Sequence, residues 1–293
     1  MKINIIGAGV SGLTVGCYLQ MCGFETEIFE KHSTAGGLCT SWKRGPYTFD
    51  GGVQWLMGSN SSNSFYKLWS ELLDMEAISF ISHESRFHIE VSNNKDKYGS
   101  PVFILYTNLS RFENYLLDIA PEDEKQIKKL VSAIRKMQKY ELPPIVDKVT
   151  NMLSWKEKIS MAKYLPLALL MLKWKNITNV SFAQKLKNPF LREAFHLLFD
   201  GDELSLLIIT IPLASYDTEG AGYPQGGSYK FAQKFEEKYL DLGGKINFNT
   251  PVSKIITENN SVKGLLLEGG KKVFSDLTIS AADWHFTLFD ALD

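Results

Sequence analysis

The first thirty residues restrict the fold more than any other stretch. Lys2-Ile3-Asn4-Ile5-Ile6 leads into Gly7-Ala8-Gly9-Val10-Ser11-Gly12, and a second short run closes with Glu25-Thr26-Glu27-Ile28-Phe29-Glu30. A brief apolar run suits a parallel strand buried on both faces. The glycines then open a helix of small and apolar residues, Leu13, Val15, Gly16 and Leu19, which Gly23 stops. In such a strand–turn–helix, Gly7 permits the tight turn. Gly9 lets backbone approach a diphosphate, and Gly12 lets the helix pack close to the sheet. The N–H groups at the head of the helix, at Val10, Ser11 and Gly12, and its positive dipole end favour that anion. Glu30 follows Gly12 by 18 residues, with Lys31 next, near the spacing of an acid that accepts hydrogen bonds from ribose hydroxyls. A lone glycine triplet is weak evidence, but here strand, helix, strand and acid flank it in order. The expectation is an α/β chain that binds a dinucleotide.

With 293 residues, 44% of them hydrophobic, the chain can bury a large core in one or two domains. A net charge of −1, spread along the sequence, argues against nucleic acid as a partner. Cys17, Cys22 and Cys39 form no C-x-x-C pair, so they read as small packing residues in a reducing, cytoplasmic setting. The first strand begins at Lys2, so no leader is expected. No run reaches the roughly 18 apolar residues of a membrane span. His32, His83, His88, His196 and His285 show no metal-ligand spacing, so no metal site is expected.

Beyond Glu30 the sequence carries two more glycine stretches, Ala35-Gly36-Gly37-Leu38 and Phe49-Asp50-Gly51-Gly52. With the opening motif they resemble the FAD-dependent amine-oxidase and phytoene-desaturase superfamily, nearest its phytoene-dehydrogenase-related branch. That resemblance implies a FAD-binding Rossmann-like domain, with a parallel sheet and a β-meander, interrupted by an α+β substrate domain. It implies that Gly36, Gly37 and Leu38 lie along the FAD diphosphate, and that Gly51 and Gly52 lie toward the flavin. It also implies domain limits: residues 1–75 and 216–293 for the cofactor, 76–215 for substrate.

The middle of the chain reads as strands and helices. Ser64 to Leu73 has helical spacing, with Phe65, Leu68, Trp69, Leu72 and Leu73 on one face. Residues 78–91 and 101–107 read as paired strands. Ser110-Arg111-Phe112-Glu113 has the form of a capping box for a helix through Ile119. Pro121 and the acids after it open another, with Ile127, Leu130, Val131, Ile134 and Met137 inward and Pro143-Pro144 as its stop. Ser181 is expected to cap a helix at 182–186, and Asn188-Pro189 to start the next. The stretch 155–175 is apolar and flanked by lysines and tryptophans. Two readings stand side by side: peripheral contact with a membrane surface, or a wall of the substrate cavity or core. Pro166 should kink this stretch or start its second half.

Gly220 to Ser228 marks the return to the cofactor domain. A helix with Phe231, Phe235 and Tyr239 follows, then a strand from Lys245 and a meander beginning near Val252. The resemblance implies that Val252 clamps the adenine through its backbone, and that Ala281 closes on the cofactor after the last strand. Members of the superfamily continue well beyond this point, with a further glycine turn for the flavin end. That difference makes a second polypeptide, supplying the remainder, an expected partner. The function implied is an FAD-dependent oxidoreductase that removes hydride from C–H bonds of an apolar small-molecule substrate. The alternatives are a non-catalytic module for a nucleotide or apolar ligand, and a nicotinamide-dependent reductase, against which Gly36-Gly37 speaks. No catalytic acid or base is nominated.

Overall fold

A computed structural model describes residues 1–140 and 154–292. They form two compact units, one of residues 1–55, 68–80 and 223–293, the other of 56–67 and 81–222.

The chain begins β1 (Lys2–Ile6), α1 (Val10–Met21), β2 (Glu25–Phe29), then a hairpin of β3 (Ser41–Arg44) and β4 (Tyr47–Asp50). It continues through β5 (Leu56–Met57), α2 (Ser64–Ser70), β6 (Phe80–Ile81), β7 (Ser85–Glu90) and β8 (Val102–Tyr106) to α3 (Leu109–Ile119) and α4 (Glu124–Gln138). After the undescribed stretch come α5 (Trp155–Ser160), α6 (Leu165–Trp174), α7 (Asn179–Ala183), α8 (Pro189–Leu197) and α9 (Leu207–Asp217). Then follow β9 (Ala221–Pro224), α10 (Gly227–Asp241), β10 (Lys245–Asn247), β11 (Val252–Glu258), β12 (Ser261–Leu267), β13 (Lys272–Phe274) and β14 (Leu277–Ser280), and a π-helical turn over Phe286–Ala291.

In the first unit a parallel sheet runs β10-β2-β1-β14, with Ile5 opposite both Ile28 and Ile279. Ile3, Ile5 and Ile28 are fully buried, as a strand covered on both faces demands. One polar residue interrupts β1: Asn4 is fully buried and donates its amide to the Val273 carbonyl, 3.2 Å away, tying the sheet to the β11-β12-β13 meander. On the other face α1 and α10 lie together. Gly16 is what lets them: a Cβ there would stand 2.6 Å from the Tyr239 ring. The Tyr239 hydroxyl shares a 2.8 Å hydrogen bond with Thr26 of β2.

In the second unit β7 and β8 pair antiparallel. Phe103 and Leu105 of β8 enter one core with Phe112 and Leu116 of α3, Ile127, Val131 and Ile134 of α4, and Phe190, Leu191 and Phe195 of α8. The spacing predicted for α4 therefore matches its buried face.

Several local expectations need correction. α3 is capped by Asn108, whose side chain accepts from the Arg111 N–H at 2.8 Å, and not by Ser110. α7 starts earlier than 182: Thr178 caps it in a capping box, and Ser181 is its third residue. α2 ends at Ser70, before Leu72 and Leu73. Residues 78–91 hold two short strands, β6 and β7. Cys17 is a buried packing residue, but Cys22 is exposed. Asn188 does cap α8, and Pro166 does start the second half of its stretch, in the first turn of α6. Pro143-Pro144 lies outside the described residues. Among the described residues no helix is long and apolar enough to cross a membrane.

Candidate dinucleotide-binding site

The three glycines of the first turn are required for three different reasons. Gly7 has φ +95°, a conformation side chains resist, and its N–H donates to the Phe29 carbonyl at 2.8 Å. Gly12 is needed for packing, because a Cβ there would lie 2.1 Å from the Gly7 oxygen. Gly9 is needed for neither. Its φ is −68°, and a Cβ would meet nothing nearer than the Gly37 Cα at 3.9 Å. The space in front of Gly9 is therefore left open by the protein itself. Gly9 is also the N-cap of α1, and no side chain caps that end. Val10, Ser11 and Gly12 present the helix head, with its partial positive charge, to the same space.

Glu30 directly follows β2 and is almost fully buried. One carboxylate oxygen accepts from the Ala8 N–H at 2.7 Å, the other from the His32 N–H at 2.9 Å. The acid thus holds the glycine turn and the loop after β2 at the same time. Each oxygen keeps a further lone pair for a hydroxyl donor. Lys31 beside it is exposed.

The second glycine pair joins this turn. The Gly36 N–H donates to the Ala8 carbonyl at 2.9 Å, and Gly36 bridges Gly9 as a short parallel pair. A Cβ on Gly37, which has φ +59°, would sit 3.0 Å from the Gly9 Cα. Leu38 is 90% exposed. Gly52 passes behind it, where a Cβ would stand 2.8 Å from the Leu38 oxygen, and Gly51 is held by its N–H to the Thr40 carbonyl at 3.0 Å.

The return strands complete the ring. The Asn249 and Thr250 N–H groups donate to the His32 and Glu30 carbonyls at 3.0 and 2.8 Å. That register brings Val252 beside Ile6 and Phe29, against which it is buried. The Ala281 N–H donates to the Ile6 carbonyl at 2.9 Å, and its methyl lies 3.3 Å from where a Gly12 Cβ would be. All fourteen residues singled out from the sequence fall in one unit. The chemistry of this set fits a dinucleotide: an open backbone cradle at a helix head for the diphosphate, and a buried carboxylate one strand away for ribose.

Sequence reasoning missed what Asp50 does. Its carboxylate accepts from the Ser228 N–H at 2.8 Å, at the first turn of α10, and from the Tyr223 hydroxyl. Partial burial raises the Asp50 carboxyl, but the hydrogen bonds from Ser228, Tyr223 and Gly52 outweigh it and hold it below the ordinary aspartate value. The Tyr223 phenol is pushed up to about 12 by partial burial, by that hydrogen bond and by the adjacent charge. Gly227 makes the approach possible, since a Cβ there would lie 2.5 Å from the Asp50 oxygen. The only signal in the sequence was an acid ahead of a Gly-Gly helix start 176 residues away.

Residues 5–72 match the family model of an NAD(P)-binding Rossmann-like domain. Over 283 residues the chain is 23% identical to a 4,4'-diapophytoene desaturase (4,4'-diapolycopene-forming) of Methylomonas sp, covering 96% of this chain and 53% of the relative. It is 24% identical over 294 residues to an inactive all-trans-retinol 13,14-reductase of Danio rerio, covering 96% and 46%. Among solved structures, a CLA-producing fatty acid isomerase from P. acnes aligns with TM-score 0.56 at 17% identity, over 99% of this chain and 60% of that one. The chain spans about half the length of the curated relatives it matches.

Proposed function

We propose that this chain, which resembles the FAD-dependent amine-oxidase and phytoene-desaturase superfamily, binds FAD and serves the oxidation of C–H bonds in an apolar substrate. The observation that carries the reading is the open space at Gly9, bounded by the uncapped head of α1 and by the Glu30-anchored turn. Neither backbone conformation nor packing requires glycine there, so a ligand is the remaining reason.

In this reading the N–H groups of Val10, Ser11 and Gly12 receive the diphosphate. Gly36, Gly37 and Leu38 lie along it, and Glu30 accepts from the ribose. Val252 meets the adenine through its backbone, with Lys31 at the rim. Ala281, Gly7, Gly51 and Gly52 keep the surrounding backbone close. A bound flavin would accept the hydride or its equivalent; the chain's own share is to hold and orient it. The desaturases it resembles are named for carotenoid precursors, which supports an apolar, polyene-like substrate. We assign that substrate to the unit of residues 56–67 and 81–222. There a cavity of about 90 Å³ is walled by Met137, Leu167, Met171 and Ile211, room for the tip of an alkyl chain.

A second reading has its own support: the Danio rerio relative is described as inactive. Here the chain is a nucleotide-holding module that acts with a second polypeptide. One experiment tests both. The protein is incubated with FAD, gel-filtered and scanned in the visible. Retained flavin that bleaches on reduction by an apolar polyene supports the oxidoreductase. Retained flavin without turnover supports the module. Absence of flavin, with NAD retained instead, would overturn the FAD reading, and retention of neither nucleotide would overturn both.

A further inference from the structure

The cavity in the second unit is not apolar throughout. Besides the apolar wall already described, it is lined by Asn63, Gln138, Ser215 and Thr218. Helix α9 sets the gradient. Its residues Ile211 and Ser215 and its C-cap Thr218 follow one another at i, i+4 and i+7, so the lining turns from apolar to polar along one helix face. Gly220 brings Asn63 to the same end. A Cβ on Gly220 would stand 3.1 Å from the Asn63 amide nitrogen and 3.5 Å from the Thr218 hydroxyl, so the two polar groups converge there.

The hydrogen bonds around this end fix what it can still offer. The Asn63 side-chain oxygen accepts from the Phe65 N–H at 3.0 Å. That orients the amide and leaves its two N–H donors for another partner. The Gln138 amide nitrogen donates to the Asp217 carboxylate at 2.7 Å. That orients the second amide the opposite way and leaves its oxygen as an acceptor. The Ser215 and Thr218 hydroxyls donate to carbonyls of α9, those of Ile211 and Ser215, and keep acceptor capacity only. Among the described residues no charged side chain lines the cavity. An occupant must therefore accept from Asn63 and donate to Gln138. A hydroxyl does both. A carboxylate or an ether has no proton to give, an ammonium has no lone pair to accept with, and a hydrocarbon has neither. A donor or acceptor left unmet once water is displaced costs more than a met pair gains.

We propose that this cavity recognises a neutral hydroxyl at the end of an apolar chain, so that the substrate is a long-chain or polyene alcohol and not a plain hydrocarbon, an acid or an amine. The inference rests on the assignment of the substrate to this unit. It does not depend on flavin binding, which involves the other unit.

The test is calorimetric titration of the full chain with n-octanol, its isomer methyl heptyl ether, octanoate, octylammonium and, as a probe of the apolar wall alone, benzene. Octanol should bind at least about tenfold more tightly than the ether, and more tightly than either ion. Asn63→Ser shortens the side chain but keeps an oxygen for the Phe65 N–H. It should weaken octanol roughly tenfold and leave benzene unchanged, which reports an intact cavity. The ratio of octanol to ether is read on the wild type, so it decides the matter even if the variant is unstable. Benzene binding without any preference for octanol over ether would overturn the hydroxyl and leave the apolar cavity standing. So would octanol binding that ignores Asn63→Ser, or tighter binding of either ion. Binding of neither benzene nor octanol would overturn the substrate assignment itself, and the hydroxyl with it.

Discussion

A carboxylate oxygen of Glu30 lies 2.7 Å from the backbone nitrogen of Ala8, across 22 residues of sequence. The acid read as a ribose acceptor is thus also a structural tie, holding the glycine turn to the end of β2. Glu30→Ala should therefore act twice. Without ligand it should lower stability on the order of 3 kcal/mol, since two buried N–H groups lose a charged acceptor. With FAD it should weaken affinity tenfold or more. Urea unfolding of the apoprotein and a flavin titration separate the two effects. Unchanged apoprotein stability would show that the Ala8 and His32 contacts contribute nothing.

Gly9 and Gly12 offer a sharper contrast. Gly12→Ala places a methyl 2.1 Å from the Gly7 oxygen, so α1 must move off the sheet, at a cost of several kcal/mol, about 3 or more. Gly9→Ala meets nothing within 3.9 Å and should change stability by less than about 1 kcal/mol. It should nevertheless weaken FAD at least tenfold, because the methyl stands where the diphosphate would lie. Thermal melts and titrations on the pair decide this. Full flavin affinity in a folded Gly9→Ala protein would remove the diphosphate from this turn.

The βαβ unit was legible because its determinants are local: apolar strands, glycine spacing and an acid 18 residues on. The helix cores at Ile127, Val131 and Ile134 were legible for the same reason, a 3.6-residue period. Caps were not. Ser110 and Ser181 offered plausible hydroxyls, but Asn108 and Thr178, two and three residues earlier, make the capping hydrogen bonds, and at α3 the distant Asp217 carboxylate also accepts from the Leu109 N–H at 2.6 Å. The roles of Asp50 and Gly16 were hidden likewise, since each is defined by α10, more than 170 residues away. That Leu165, Leu169 and Leu172 are exposed while Leu167 is buried depends on which side of α6 meets α4, which periodicity cannot decide in a helix apolar all round.

The Asp50 contact gives a pH prediction. The Asp50 carboxyl is held below its ordinary value of 3.8 in the fold. A depressed carboxyl contributes stability that is full above 3.8 and is lost as pH falls through the lower folded-state value. Wild type should therefore exceed Asp50→Asn in stability at pH 7, and the gap should close as pH drops below about 3.8. On the alkaline side Tyr223 is raised from 10 to about 12, so its contribution should be full below pH 10 and lost toward 12. Chemical unfolding of both proteins across pH measures the gap. A gap independent of pH would mean that Asp50 acts by shape alone.

Asp123 predicts a stability effect in the second unit. It is almost fully buried and accepts from the Lys187 and Asn188 N–H groups at 2.7 and 2.9 Å. The acid read as a first-turn helix residue thus joins the start of α4 to the start of α8. Asp123→Ala should cost about 2–4 kcal/mol by stranding two N–H groups. Asp123→Asn, which keeps one acceptor, should cost less. Equal loss in both variants would point to packing instead of hydrogen bonding.

The last prediction concerns which half of the dinucleotide this unit holds. In the reading proposed above, Gly9 and the head of α1 would address a diphosphate, Glu30 a ribose, and Val252, set by the Thr250–Glu30 and Asn249–His32 hydrogen bonds, the adenine. These are features of ADP as much as of FAD. ADP should therefore compete with FAD at an affinity within about tenfold, since the interactions argued here are common to both ligands. Glu30→Ala and Gly9→Ala should weaken ADP and FAD by the same factor, because neither touches what distinguishes them. Competition calorimetry on the wild type and the two variants supplies six affinities. FAD binding more than a hundredfold tighter than ADP would mean that the flavin end adds about 2.7 kcal/mol or more, and the residues that supply it would then have to be sought beyond Gly9, Glu30 and Val252.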